Sequence, residues 1–290
     1  MLRSARKAQT ELGEAAGRVA GFLHALQQAD GGFADRAGKS DLYYTVFGLQ
    51  ALTALGAEFR RDAAETYLAS FGTGAELDLV HLGCLARCWD CLPDAPAPAK
   101  LRDGLLARLP DYRSADGGYA QHVGAEAGSA YGCFLALGLS QDLGVDLPDA
   151  DGVIRCVESL AAPDGSYAND PALPIGSVPA TAAATAVLHH LGRDVPEAVA
   201  AWLPAQQADD GGFLAIPAAP ESDLLSTATA LHALSLLGAD LSAVRQRCLA
   251  FIWSLHDARG GFAGHRGDET PDAEYTDYAL LSLGHLSPLG

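Results

Sequence analysis

The chain has 290 residues, of which 49% are hydrophobic and 19% are charged. This composition supplies a large core and excludes an intrinsically disordered protein. The net charge of −17 argues against a basic surface that binds nucleic acid. No run of 18 uninterrupted apolar residues occurs, so no transmembrane helix is predicted. The six cysteines lie mostly inside apolar helical patterns, which indicates a reducing, cytoplasmic location.

A short glycine motif recurs along the chain. Its copies are ADGGF at 29–33, a degenerate FGTG at 71–74, ADGGY at 115–119, PDGSY at 163–167, DDGGF at 209–213 and RGGF at 259–262. From the third copy onward, successive copies lie 46 to 49 residues apart. A period of this length predicts a repeat architecture. Six repeats account for nearly the whole sequence, so we expect a single domain over residues 1–290.

Each repeat predicts two helices. Before the glycines, segments such as 17–28 and 244–257 place apolar residues at i, i+3, i+4 and i+7. After the glycines comes a polar loop. An apolar, almost uncharged segment follows it, as at 41–56, 223–238 and 272–286. The charged helices should form an outer layer and the apolar helices an inner layer.

Helix-capping residues support these boundaries. The expected N-caps are Asp41, Asp78, Asp223 and Asp272, and the expected C-terminal glycines are Gly56, Gly192 and Gly238. Six such hairpins predict an all-α fold that closes on itself as an α6/α6 barrel, or toroid. A helical solenoid with free ends is the alternative.

The repeat unit "helix, DGGF, polar loop, D-x-x-[YH]-T-x-[YF], helix" resembles that of protein prenyltransferase β subunits and squalene cyclases. Residues 31–56 are similar to the repeats of Rab geranylgeranyltransferase and farnesyltransferase β subunits. The resemblance implies an apolar funnel that holds an isoprenoid chain. Transfer of a farnesyl or geranylgeranyl group, with release of diphosphate, is the activity that it implies most directly. These transferases also require an α subunit, so a similar protein partner is implied.

The resemblance also implies a zinc site, formed by an Asp and a Cys two residues apart and a His on the next inner helix. In the family's order along the chain, Asp223 matches the Asp, whereas Leu225 replaces the Cys and Tyr275 replaces the His. Asp223 remains a candidate for substrate binding and is also a plain helix cap.

A second alignment with the family's repeats is possible, because any repeat of a closed ring can be matched to the family's first repeat. Here Asp41 and His81 match the family's pattern, and Tyr43 replaces the Cys. Cys84, one helical turn after His81, is the substitute ligand that the sequence offers. The zinc set is therefore incomplete in both registers, and we predict substoichiometric zinc.

For diphosphate, Arg36 and Lys39 match the family's binding pair in type and nearly in spacing. Tyr44 would add a hydroxyl donor, and Asp41 would be a metal ligand or a cap. The aromatic residues expected to line the funnel are Tyr43, Tyr44, Phe47, Trp89, Tyr131, Tyr275 and Tyr278. Small residues such as those of ATAAATAVLHHLG at 180–192 should leave space at the axis of the ring.

A class II terpene cyclase is the alternative enzyme. Such cyclases protonate an alkene with the middle Asp of a DxDD motif, which this chain lacks. The nearest match places Glu274 at the acid position, with Asp272 and Asp277 close enough for a coupled acidic site. The absence of a second helical domain, which the cyclases use, counts against this activity. A toroid that binds a lipid or a protein without catalysis is the third hypothesis, and the incomplete zinc set favours it.

Overall fold

The computed structural model describes residues 1–92 and 97–288, so residues 93–96 and 289–290 of the expected domain lie outside the description. In chain order the α-helices are α1 (Leu2–Ala5), α2 (Ala8–Leu12), α3 (Ala16–Leu26), α4 (Leu42–Leu55), α5 (Arg61–Ala69), α6 (Leu79–Asp90), α7 (Ala99–Arg108), α8 (Ala130–Asp142), α9 (Ala150–Ser159), α10 (Val178–His190), α11 (Glu197–Trp202), α12 (Leu224–Leu236), α13 (Ser242–Ser254) and α14 (Ala273–Leu286). Short 3-10 turns cover Gly13–Ala15, Leu109–Tyr112 and Pro204–Gln206.

The even-numbered helices from α4 to α14 form a closed inner ring. Each packs against the next, and α14 returns to pack against α4. The odd-numbered helices from α3 to α13 alternate with them along the chain and form the outer layer. Burial follows this division, because α10 buries ten of its residues and α5 only two. The predicted α6/α6 barrel is confirmed, and the open solenoid is wrong.

The predicted caps set where the inner helices begin. The side chains of Asp41, Asp78, Asp223 and Asp272 each accept a hydrogen bond from the backbone N–H three residues later. Gly56 ends α4 in the left-handed conformation, with φ of 62°. All six inner helices thus start at one end of the barrel, which we call the N-terminal end.

Short antiparallel strands fold the loops back over this end. β1 (Phe33–Ala34) pairs with β2 (Ser40–Asp41), and β3 (Phe213–Leu214) pairs with β4 (Ser222–Asp223). The aromatic residue after each glycine pair is also anchored on the inner helix. In four repeats its N–H donates to a threonine hydroxyl, in the pairs Phe33–Thr45, Tyr167–Thr181, Phe213–Thr227 and Phe262–Thr276. The recurring Thr of the repeat motif is therefore the residue that fixes the loop.

The N-terminal segment, residues 1–26, has an amphipathic helical pattern but does not form one continuous helix. The chain instead forms α1, α2 and a 3-10 turn, and Gly13 has φ of 50° where the path bends. Gln9 Nε2 donates to the Leu55 carbonyl at 2.7 Å, and Ser287 Oγ donates to the Lys7 carbonyl at 2.9 Å. The segment therefore lies over the C-terminal ends of α4 and α14. Among the described residues, no helix is long and apolar enough to cross a membrane.

Candidate functional site

The inner ring encloses a central cavity with two adjoining lobes. The larger lobe, of about 330 Å³, is lined by small residues of α10, including Ala180, Ala183 and Ala186. This confirms the space expected from the alanine-rich segment. The smaller lobe, of about 150 Å³, lies among α4, α6, α8 and α14. Both volumes together reach the range of small-molecule sites, about 300–1,000 Å³.

Aromatic side chains line the junction of the two lobes. Tyr43, Tyr131 and Tyr278 face both lobes, and Phe47 lines the smaller one. The ring of Phe47 lies edge-on to Tyr43, with centroids 4.9 Å apart, and is tilted against Tyr278 at 5.4 Å. The structure thus brings together four of the aromatic residues that the sequence predicts. Their ring faces suit an isoprenoid or a developing carbocation.

Three carboxylates occupy the first turns of α14, but their surroundings differ. Asp272 caps the helix and accepts a 2.7 Å bond from Arg36 Nε. Glu274 Oε1 accepts a 2.7 Å bond from the Tyr43 hydroxyl. Burial raises the pKa of Glu274, and the bond from Tyr43 opposes that rise. Glu274 is not among the residues that line either lobe, and Tyr43 stands between it and the cavity.

Of these three carboxylates, Asp277 is the one that lines the cavity. It lies one helical turn after Glu274, is 7% exposed, and lines the smaller lobe. No group in the described residues hydrogen-bonds to its carboxyl oxygens. Burial raises the pKa of Asp277 to about 7, and the positive charges of the Met1 amino group and of Arg87 oppose the rise. A substantial fraction of this side chain is therefore an uncharged carboxylic acid at neutral pH.

The basic group of the smaller lobe is already paired. Arg87 Nε donates to Asp142 Oδ2 at 2.7 Å, and Arg87 Nη1 donates to Gln50 Oε1 at 3.3 Å. Burial raises the pKa of Asp142 to about 6, although Arg87 opposes it. In the larger lobe, burial lowers the pKa of His232 to about 3, so its imidazole is neutral at pH 7. The side chains of the described cavity lining thus offer no uncompensated positive charge. Met1 also lines both lobes, and burial lowers the pKa of its amino group.

The predicted diphosphate pair lies at the seam between the first and sixth repeats. Arg36 donates to both Asp268 and Asp272 at 2.7 Å, and its guanidinium lies over the Tyr275 ring at 5.5 Å. Lys39 is exposed in the loop between β1 and β2. Arg36 is therefore occupied by two carboxylates, and neither residue lines the cavity.

The residues proposed for zinc do not form one ligand set. Asp41 caps α4, and His81 Nδ1 lies 2.7 Å from Asp78 Oδ1. Cys84 lines the smaller lobe, and burial raises the pKa of its thiol to about 12, which disfavours the thiolate that zinc requires. No three His, Cys, Asp or Glu side chains within residues 1–92 and 97–288 converge as a metal site. The residues present do not fit the zinc of the prenyltransferases.

The remaining candidates lie around the N-terminal end. Asp223 caps α12 through Ser226, and burial raises the pKa of its carboxyl. Tyr44 and Tyr275 are half-buried near Arg36 and are absent from the cavity lining. Sequence reasoning noted Asp277 only as a neighbour of Glu274, and its spacing on α14 is the signal that pointed to it. It missed Arg87, Asp142 and Gln50, because nothing in their local sequence indicates that they meet.

The family model of the prenyltransferase alpha-alpha toroid domain matches residues 14–82 and 177–287, which is more than half of the chain. A search of curated proteins found no match. Among solved structures, a variant of the type II terpene cyclase MstE from Scytonema, in complex with geranylgeranyl dihydroxybenzoate, has a TM-score of 0.66 at 14% identity, covering 97% of each chain. The Candida albicans protein geranylgeranyltransferase-I complexed with GGPP has a TM-score of 0.53 at 16% identity, covering 84% of this chain and 66% of that one.

The ent-copalyl diphosphate synthase from Streptomyces platensis has a TM-score of 0.53 at 17% identity, covering 85% of this chain and 50% of that one. At these identities the likenesses show the fold alone. The MstE chain, however, is covered almost entirely by one toroid, so the expectation that a cyclase needs a second helical domain is wrong. One ring can enclose a cavity by itself. On the family match and the observed ring, the chain belongs to the prenyltransferase alpha-alpha toroid domain family.

Proposed function

We propose that this protein binds an isoprenoid in its central cavity and cyclises it by protonation, as a class II-type terpene cyclase with Asp277 as the acid. One observation carries the proposal: a carboxyl group without a hydrogen-bond partner among the described residues faces an apolar cavity lined by aromatic rings. A carboxylic acid must be uncharged to protonate an alkene, and burial of Asp277 favours that form.

The proposed reaction is balanced without another reactant. The Asp277 O–H bond breaks and a C–H bond forms at one alkene carbon, which leaves a carbocation on the other. The π electrons of a second alkene close the ring, and loss of a proton from a neighbouring carbon ends the sequence. The product is an isomer of the substrate, and water restores the proton to Asp277. Tyr43, Phe47 and Tyr278 would stabilise the cation through their ring faces.

Glu274 acquires a different role from the one that the sequence suggests. Because Tyr43 donates to Glu274 and also faces both lobes, the pair forms a proton path from the cavity to the N-terminal end. In our proposal Tyr43 accepts the proton lost by the final cation while its own proton passes to the Glu274 carboxylate. Tyr43 and Glu274 then act as one unit.

Prenyl transfer with release of diphosphate fits these residues less well. A leaving diphosphate requires fixed cationic or N–H donors. Arg36 is bound to two carboxylates, and Arg87 is bound to Asp142. Cyclisation by protonation requires neither zinc nor an α subunit.

The six cysteines are free and buried, which supports a reducing compartment such as the cytoplasm.

The test compares Asp277→Asn, Glu274→Gln and the exposed control Asp103→Asn. Each variant is incubated with geranylgeraniol and with geranylgeranyl diphosphate, and mass spectrometry follows the products. We expect isomeric products from the wild type and a loss of about 10²–10⁴-fold in turnover for Asp277→Asn, because general acid catalysis contributes that much. Ligand binding should stay within about threefold, since Asn keeps the shape of Asp.

Each other outcome contradicts part of the proposal. An active Asp277→Asn variant beside an inactive Glu274→Gln variant would assign the acid to Glu274. Diphosphate released only after an acceptor is added would show prenyl transfer. If neither ligand binds at near-physiological salt, the result would favour the hypothesis of a toroid without catalytic activity.

A further inference from the structure

A second cavity of about 310 Å³ lies at the N-terminal end of the barrel, outside the central cavity. It is formed by residues 120–129 and 169–172, the loops that precede α8 and α10. We call it the vestibule. The proposed cyclisation does not use it.

Asn169 separates the vestibule from the central cavity and lines both. Its carbonyl accepts a 2.8 Å bond from the Ala130 N–H, and its Oδ1 accepts a 3.2 Å bond from the Tyr131 N–H. Asn169 is thereby fixed at the start of α8, beside a tyrosine that lines the larger lobe. The vestibule and the larger lobe are therefore adjacent, with Asn169 in the wall of both.

The loop on the other side of the vestibule is also held in place. The Ala115 N–H donates to the Ala125 carbonyl at 3.0 Å, and the Gly128 N–H donates to both oxygens of Asp116. These bonds tie the loop to the glycine motif of the third repeat. The vestibule is thus a shaped site between two anchored loops.

The chemistry of the vestibule is polar and carries no strong cation. Its polar side chains are those of Gln121, His122, Glu126, Ser129, Asn169 and Asp170. Its lining contains neither Lys nor Arg, whereas Glu126 and Asp170 each bring a negative charge. A diphosphate would meet two like charges here, with only His122 to oppose them. Amides, a hydroxyl and an imidazole instead offer hydrogen bonds to an uncharged group.

We propose that the vestibule binds the polar head group of the isoprenoid, and that this head group is uncharged and hydroxylated rather than a diphosphate. The inference rests on the proposed function for the position of the hydrocarbon chain. The volume exceeds what a single hydroxyl needs, because one water molecule occupies about 30 Å³ in the liquid. The vestibule accommodates a head group as large as a hydroxylated six-membered ring.

Binding measurements on the intact chain test this inference. Isothermal titration compares geranylgeraniol with geranylgeranyl diphosphate on the wild type, on Glu126→Lys and on Asp103→Lys. Glu126 is exposed and lines the vestibule, whereas Asp103 is exposed on outer helix α7. Both variants change the net charge equally, and circular dichroism checks that both fold.

We expect the wild type to bind the alcohol at least about tenfold more tightly than the diphosphate. Glu126→Lys should strengthen diphosphate binding by about tenfold, since it replaces a repulsive charge by an attractive one. Asp103→Lys should leave both affinities within about twofold. Two results would overturn the head-group inference: a wild type that prefers the diphosphate, or a Glu126→Lys variant with unchanged diphosphate binding. Neither result would contradict the proposal that the central cavity binds the isoprenoid. Failure of both ligands to bind would instead contradict the proposed function.

Discussion

At the scale of single residues, the buried carboxyl of Asp277, our proposed acid, costs stability. A carboxylate buried at 7% exposure beside aromatic rings is poorly solvated, and the folded chain responds by keeping the proton. Asp272 and Glu274 on the same helix each accept a hydrogen bond from an arginine or tyrosine side chain. This difference separates an acid that faces the cavity from carboxylates that support the structure.

The cost of Asp277 should appear in the pH dependence of unfolding. The pKa of Asp277 is about 7 in the folded state against an ordinary value of 3.8, so the folded state binds more protons between these values. Stability from this group is therefore lost as pH rises from about 4 to about 7. Between pH 5 and pH 8 we expect the difference in unfolding free energy between Asp277→Asn and wild type to shift by about 2–3 kcal/mol in favour of the variant.

Urea denaturation followed by circular dichroism measures this difference at both pH values. Asp103→Asn, at an exposed site, is the control and should follow the wild-type pH profile. Parallel profiles for wild type and Asp277→Asn would show that Asp277 is not the buried neutral acid of the account.

At the scale of the repeat, glycine and threonine explain why the motif recurs. Gly31 has φ of 100°, and a Cβ atom there would lie 2.1 Å from the backbone of Ala63 in the next outer helix. On the inner helix, the ring of Phe33 fills the space beside Gly48, where a Cβ would lie 2.1 Å from the ring. The motif is thus a packing device between neighbouring repeats. For that reason it predicts the fold and leaves the chemistry open.

Gly31→Ala and Gly38→Ala separate packing from backbone strain. Both glycines have positive φ, but a Cβ at Gly38 meets nothing within 4 Å. We expect Gly38→Ala to lower the unfolding free energy by about 1 kcal/mol, the cost of the left-handed conformation. Gly31→Ala should cost about 3 kcal/mol or more, because the Ala63 backbone must also move. Equal losses in urea denaturation would contradict the role of Gly31 at the repeat interface.

At the scale of the whole molecule, the sequence predicts the ring of six hairpins. It predicts only part of the candidate site. Repeat spacing, apolar periodicity and the caps Asp41 and Asp272 are local signals, and together they define six hairpins. The residues that line the smaller lobe with Asp277 come from α4, α6 and α8, which the chain brings together only by closing the ring. Arg36 illustrates the same limit, because its partner Asp272 lies 236 residues away. That one domain spans residues 1–290 remains a prediction.

Ring closure also bears on the substrate chemistry that we propose. The contacts of Arg36 with Asp268 and Asp272, and of Tyr43 with Glu274, join the first repeat to the sixth. Closure therefore neutralises the arginine that the family resemblance assigns to diphosphate. It also places Tyr43 between Glu274 and the cavity. In our proposal, the assembled ring therefore favours protonation of an alkene over release of diphosphate.

Incorporation of solvent deuterium would show directly whether the protein protonates an alkene. Wild-type protein is incubated in D₂O with unlabelled geranylgeraniol, and mass spectrometry of the product is compared with a reaction in H₂O. The account predicts a cyclic isomer that carries one deuterium, because Asp277 exchanges its proton with water before it protonates the alkene. Cyclic product without deuterium would contradict the claim. So would product formation that requires geranylgeranyl diphosphate and releases its diphosphate.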